Sequence, residues 1–228
     1  MAALFPDMSM QQFQLFTRHV YEIPNNRHFE IGEMLNNIQR FGMRGLKGIR
    51  KGDIEKTKKN LMISFSWFVS VLVRLRIDLE EEVWKRFPYV CSYCGGCPCG
   101  CKAIRPDARY PVEMDAKKRP KTFAQFQSMF NRIYPASKRS LDHAGVHFAE
   151  EMGEFSEAIW AYRSDRCSRD FEEIGGEVAD YFSCLIGVFN SLNLDIAIEL
   201  AKLYSNNCFE CLQAPCMCTY ETIKRYKS

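Results

Sequence analysis

The sequence predicts an all-α fold built from two related halves. Three observations carry this. Apolar residues recur at helical spacing around two acidic clusters, Glu150-Glu151-x-x-Glu154 and Glu177-x-x-Asp180; Phe148, Met152, Phe155 and Ile159 flank the first, Val178, Tyr181, Phe182, Leu185 and Ile186 the second. The stretch 61–69, LMISFSWFV, is apolar nearly all round, the pattern of a helix buried on several sides. The chain also repeats: an offset of 117 residues carries Cys91, Cys94, Cys99 and Cys101 onto Cys208, Cys211, Cys216 and Cys218.

In chain order, the first copy spans 9–101. Its Gln12-Phe13-Gln14 and His28-Phe29 match Gln125-Phe126-Gln127 and His147-Phe148 after small shifts in loop length. At the fixed offset, Asp53 falls on Asp170, Phe65-Ser66 on Phe182-Ser183, Ile77-Asp78-Leu79 on Leu194-Asp195-Ile196, and Lys85 on Lys202. The glycine-rich stretch 42–48, GMRGLKG, fits no P-loop spacing and is expected to be an ordinary loop. A linker over 102–121 carries Pro106, Pro111, Pro120 and an excess of basic residues, expected to be solvated. The second copy spans 122–218, with Cys167 expected in a loop over 164–169.

The acids are the chemistry. On a helix, positions three or four apart share a face, so Glu151 points with Glu154, and Glu177 with Asp180; Glu150 lies four before Glu154. These carboxylates sit beside the apolar stripe. Two unpaired carboxylates about 4 Å apart repel by roughly 4 kcal/mol at an effective dielectric near 20. Gathering four or five needs a cation, and hard oxygen donors suit Mg²⁺ or Mn²⁺. The first copy lacks them: Asn60 and Ile63 stand where Glu177 and Asp180 do, and Ile31, Gly32 and Leu35 face Glu150, Glu151 and Glu154. That copy should be catalytically inert. His147, three before Glu150 and four after His143, is expected as a hydrogen-bonded core residue, like His28.

Each copy ends in C-x-x-C-x4-C-x-C, a spacing that suits tetrahedral Zn²⁺; an iron–sulfur cluster or a redox pair are the alternatives. Cys97 is a fifth thiol in the first knuckle, and Cys184 is expected in the core.

With its paired acidic motifs, the stretch 122–207 resembles the MazG-like all-α nucleoside triphosphate pyrophosphohydrolases. The resemblance extends to Phe126-Gln127, to Ile133-Tyr134-Pro135 leading into Lys138-Arg139-Ser140, and to Lys202-x-x-x-Asn206. It implies two units of four short helices packed as an intramolecular pseudo-dimer. It implies a reaction in which water converts a (d)NTP to (d)NMP and pyrophosphate. Glu151, Glu154, Glu177 and Asp180 would hold Mg²⁺, Glu150 would orient the attacking water, and Lys202, Asn206 and Arg139 would meet the phosphates. Phe126, Phe130 or Trp160 would stack on the base.

Composition bounds the rest. A net charge of +3 argues against nucleic acid as the main partner. The first ten residues lack a basic start and a long apolar run, so no secretory leader is expected, and clustered thiols then suggest a reducing, cytoplasmic setting. The longest apolar stretch, 61–73, is shorter than the roughly 20 residues of a membrane span. A homodimer of the pseudo-dimer remains open. A di-iron carboxylate bundle would need Glu-x-x-His pairs, which are missing after Glu151 and Glu177. A zinc-knuckle protein that binds nucleic acid or another partner, with vestigial acids, is the other alternative.

Overall fold

The computed structural model describes residues 4–103, 106–165 and 167–225; Ile104 and Arg105 of the linker and Arg166 of the stretch 164–169 lie outside them. Among the described residues there is no strand. The helices are α1 (Met10–His28), α2 (Ile31–Arg50), α3 (Ile54–Leu75), α4 (Leu79–Arg86), α5 (Phe123–Ile133), α6 (Leu141–Asp165), α7 (Ser168–Ser191), α8 (Ile196–Leu203) and α9 (Tyr220–Arg225). None is long and apolar enough to cross a membrane.

Local chemistry sets the boundaries. Ser9 and Gln12 form a reciprocal capping box at the start of α1, with bonds of 3.0 and 2.8 Å. Asp53 caps α3 through the Lys56 N–H at 2.9 Å, and Thr122 caps α5. Equivalent residues Arg76 and Asn193 follow α3 and α7 in the left-handed conformation, at φ 60° and 54°.

Two stretches differ from expectation. Residues 42–48 are helical, inside α2, with Gly42, Gly45 and Gly48 buried on one face. The reason is tertiary. A Cβ on Gly45 would stand 2.6 Å from Leu61 Cδ2, and one on Gly48 2.4 Å from Thr57 Oγ1, so the glycines let α3 lie close. Likewise α6 continues eleven residues past Glu154 and α7 begins at Ser168, so the acidic clusters sit on two long helices. Cys167 is the exposed residue at the head of α7. The second copy's helices are not all short: the long α6 and α7 lie between the short α5 and α8 in the chain.

The chain divides into two compact units, Met1–Leu79 with Ala197–Ser228, and Glu80–Ile196. Neither is a contiguous sequence copy. Each takes its last helix and cysteine loop from the opposite copy. In the first unit, Val20 of α1 accepts the Cys216 N–H at 2.8 Å, and the Tyr204 ring packs 6.0 Å from Phe13 and 5.6 Å from Phe16. In the second, Ile133 of α5 accepts the Cys99 N–H at 2.8 Å, the Tyr134 hydroxyl donates to Cys91 Sγ at 3.4 Å, and Phe87 meets Phe130 at 5.2 Å. Phe87 and Tyr204 are equivalent at the 117 offset.

The repeated glutamines do repeated work. Gln14 donates to Ile77 O at 2.6 Å and accepts the Leu79 N–H at 3.1 Å; Gln127 does the same with Leu194 O at 2.7 Å and Ile196 at 3.1 Å. In the first unit, α8 docks on α3 through Lys58, whose Nζ lies 2.9 Å from Glu199. In the second, α4 docks on α7.

Candidate metal centre

In the second unit, α6 and α7 bring Glu151, Glu177 and Asp180 together, with ligand oxygens all within 4.8 Å of one another. Glu151 Oε2 and Glu177 Oε2 are buried without a hydrogen-bond partner. An orphaned buried carboxylate oxygen is costly, and a divalent cation satisfies it, so this donor set fits a hard metal. Glu154 stands exposed on α6 outside the three, although its charge raises the pKa of both Glu151 and Glu177. Glu150 is exposed too.

Burial first, then Asp180, Glu154 and Glu177, push Glu151 up to about 8, with Arg86 pulling the other way. Glu177 is raised by burial first, then by Asp180 and Glu154, with Arg86 and Arg109 opposing. The folded chain thus keeps a proton on Glu151 that the unfolded chain releases above about 4.5. Stability of the magnesium-free protein is therefore expected to fall as pH rises from about 4.5 through 8. Melting curves in magnesium-free buffer between those limits read this. Glu151→Gln should flatten the slope, and an unchanged slope would refute the assignment.

Two arginines reach the acids that sequence reasoning passed over. Arg86 of α4 donates from Nε to Asp180 Oδ1 at 3.1 Å and from Nη2 to Oδ2. Arg109 Nη2 lies 3.8 Å from Asp180 Oδ2. The dipeptide Gly175-Gly176, directly before Glu177, makes room for α4. A Cβ on Gly175 would stand 2.5 Å from Glu82 Oε2, and one on Gly176 3.0 Å from Arg86 Nη1. That glycine pair inside an apolar helical pattern was the available signal, because glycine in a helix interior normally reflects a close approach. Gly176→Ala should cost about 1–3 kcal/mol by overpacking. Gly153→Ala, at a position with nothing within 4 Å, should gain about 0.5–1 kcal/mol from helix propensity. Chemical denaturation of the two variants measures both; equal effects would discount the close approach.

Arg139 packs its guanidinium against Gly187 of α7 and donates to Tyr134 O at 3.4 Å, leaving Nε buried and unpartnered. Burial lowers its pKa, and Cys184 opposes that. The Cys184 thiol is half-buried on α7 and is pushed up by burial first, then by Glu151 and Asp180. His147 is not a core residue. It is exposed, as is His28, and its ring lies 4.3 Å from that of His143, tilted by 46°. Phe126 and Phe130 are wholly buried and unavailable to a base, while Trp160 is 49% exposed beneath Arg163. Lys202 and Asn206 belong to the first unit, where Lys202 pairs with Glu199 at 2.8 Å and Asn206 donates to Ser205. Where the first copy carries Asn60, Ile63, Ile31 and Leu35, those side chains are buried, and no carboxylate cluster forms among the first unit's described residues.

The thiols gather as two fours, Cys91, Cys94, Cys99 and Cys101, and Cys208, Cys211, Cys216 and Cys218, each with sulfurs within 4.8 Å. Both sets could bind zinc. Cys97 is exposed and outside them. Backbone N–H groups point at the sulfurs, Gly100 at Cys94 and Met217 at Cys211, both at 3.4 Å. The hydrogen bond from Cys216 draws Cys208 down to about 4. Burial opposes ionisation of Cys94, but N–H bonds from Gly100 and Gly96 bring it to about 6. Thiolates held this way are ready metal ligands.

No family model, curated protein or solved structure matches this chain.

Proposed function

We propose that the second unit is a magnesium-dependent nucleoside triphosphate pyrophosphohydrolase, converting a (d)NTP and water to (d)NMP and pyrophosphate. The observation that carries the reading is the meeting of Glu151, Glu177 and Asp180 with two orphaned buried oxygens. Those three residues would hold Mg²⁺, or Mn²⁺, which supplies charge neutralisation to the triphosphate when bound. Arg139, with a buried Nε lacking a partner, offers a donor suited to a phosphate oxygen. Glu150 and Glu154, exposed one turn apart on α6, can orient the attacking water and accept its proton. The cysteine fours would hold structural Zn²⁺, fastening each knuckle to α1 or α5. The copy without acids would serve as scaffold in a pseudo-dimer, and thiol-rich knuckles with unpaired cysteines suit a reducing cytoplasm.

Pyrophosphate release from a panel of ribo- and deoxyribonucleoside triphosphates with Mg²⁺ tests the proposal. Absence of release across the panel with either Mg²⁺ or Mn²⁺ would sink it. Nucleic-acid binding is a second reading, favoured by an open cleft of about 1040 Å³ lined by Lys117, Lys118, Lys121 and Arg132. Gel-shift affinity that survives Glu151→Gln, without nucleotide hydrolysis in the parent, would select it.

A further inference from the structure

Arg86 takes both oxygens of Asp180, while the neighbouring Glu151 Oε2 and Glu177 Oε2 have no partner at all. The pair is well enclosed, with side-chain exposures of 19% and 17%. Arg109 stands behind it, 3.8 Å from the same carboxylate and held over the Tyr93 ring at 4.5 Å. Room for the Arg86 fork is provided by Gly176, the residue before Glu177. The only cations ion-paired with the triad among the described residues are therefore gathered on one of its three acids. That acid's lone pairs are the ones a metal would need.

We infer that Arg86 is a resident counter-cation, that a divalent metal displaces it from Asp180, and that the freed guanidinium then takes phosphate oxygens of the triphosphate. The inference rests on the metal and nucleotide reading above. Its physical basis is an exclusion: the oxygens of Asp180 cannot serve a bidentate guanidinium and a metal ion with the same lone pairs. A guanidinium in this enclosed place needs another bidentate anionic acceptor once Asp180 is lost, and two phosphate oxygens match its fork as a carboxylate does. Metal and nucleotide then bind cooperatively, since either alone leaves one charge unpaired. Because α4 comes from the copy without acids, that copy supplies a residue to the site as well as a scaffold.

Binding of Mn²⁺ alone, followed by electron paramagnetic resonance, separates the alternatives. Arg86→Met should bind Mn²⁺ about tenfold more tightly than the parent, because the competing cation is gone. The same variant should bind a non-hydrolysable α,β-methylene nucleoside triphosphate at least roughly tenfold more weakly with Mn²⁺ present. Arg86→Lys keeps the charge but not the fork, and should shift both affinities the same way by less. Circular dichroism and zinc content check that each variant is folded; should Arg86→Met unfold, Arg86→Lys carries the test. Unchanged or weaker Mn²⁺ binding by the folded variants overturns the displacement. A parent protein that takes up no Mn²⁺ fails before any substitution is made, and overturns the metal reading and this inference together.

Discussion

Glu151→Gln and Glu177→Gln should each lower magnesium-dependent pyrophosphate release by about 10²–10⁴-fold, the range for groups acting directly on charge in a transition state. They should also make the magnesium-free protein more stable. Three carboxyl groups with oxygens within 4.8 Å cannot all ionise without mutual repulsion, and of the three it is Asp180 that Arg86 and Arg109 ion-pair with. An amide is neutral without taking up a proton, so it avoids that penalty, about 1 kcal/mol after solvent screening, or roughly 2–4 °C in Tm for a chain of this size. The two effects have opposite signs, which is the mark of a site where stability is given up for function. An ordinary surface glutamate would move neither quantity. Nucleotide hydrolysis assays paired with melting curves, with and without Mg²⁺, read both. Retained activity in either variant would refute the catalytic assignment, and a lower Tm without Mg²⁺ would refute the account of the repulsion.

Loss of one knuckle ligand should have the largest effect on stability. Cys99→Ser is expected to reduce bound zinc from two ions to one per chain and to destabilise the second unit by more than about 4 kcal/mol, the scale at which metal loss stands out among substitutions. Cys216→Ser should do the same to the first unit. The reason is geometric: the Cys99 N–H is bonded to Ile133 of α5 and the Cys216 N–H to Val20 of α1, so each knuckle ties down the first helix of the other sequence copy within its unit. Cys97→Ser, at an exposed thiol outside both fours, should leave zinc content and Tm unchanged. Elemental analysis and calorimetry would measure these outcomes. Zinc that stays at two ions after Cys99→Ser would overturn the four-thiolate assignment.

Much of this was legible in local pattern. Helical periodicity placed Glu151, Glu177 and Asp180 on facing stripes, and the cysteine offset revealed paired knuckles, because both signals depend on spacing along one segment. Where spacing misled, a neighbour was responsible. The glycines of 42–48 suggested a loop, yet they lie inside α2, where the absence of a Cβ on Gly45 and Gly48 leaves room for Leu61 and Thr57 of α3. His147 and Phe148 are neighbours on α6, where one step turns a side chain by about 100° and separates an exposed ring from a buried one.

By itself, the sequence determined the helical class, the repeat, the loss of acids from the first copy and which residue types could hold metal. Tertiary structure alone decided which copy's last helix completes which unit, and hence that Arg86 rather than Lys202 shares a compact unit with the acids. Periodicity records how a segment repeats along itself. The pairing of Arg86 with Asp180, 94 positions away, depends on shape and charge met only after folding.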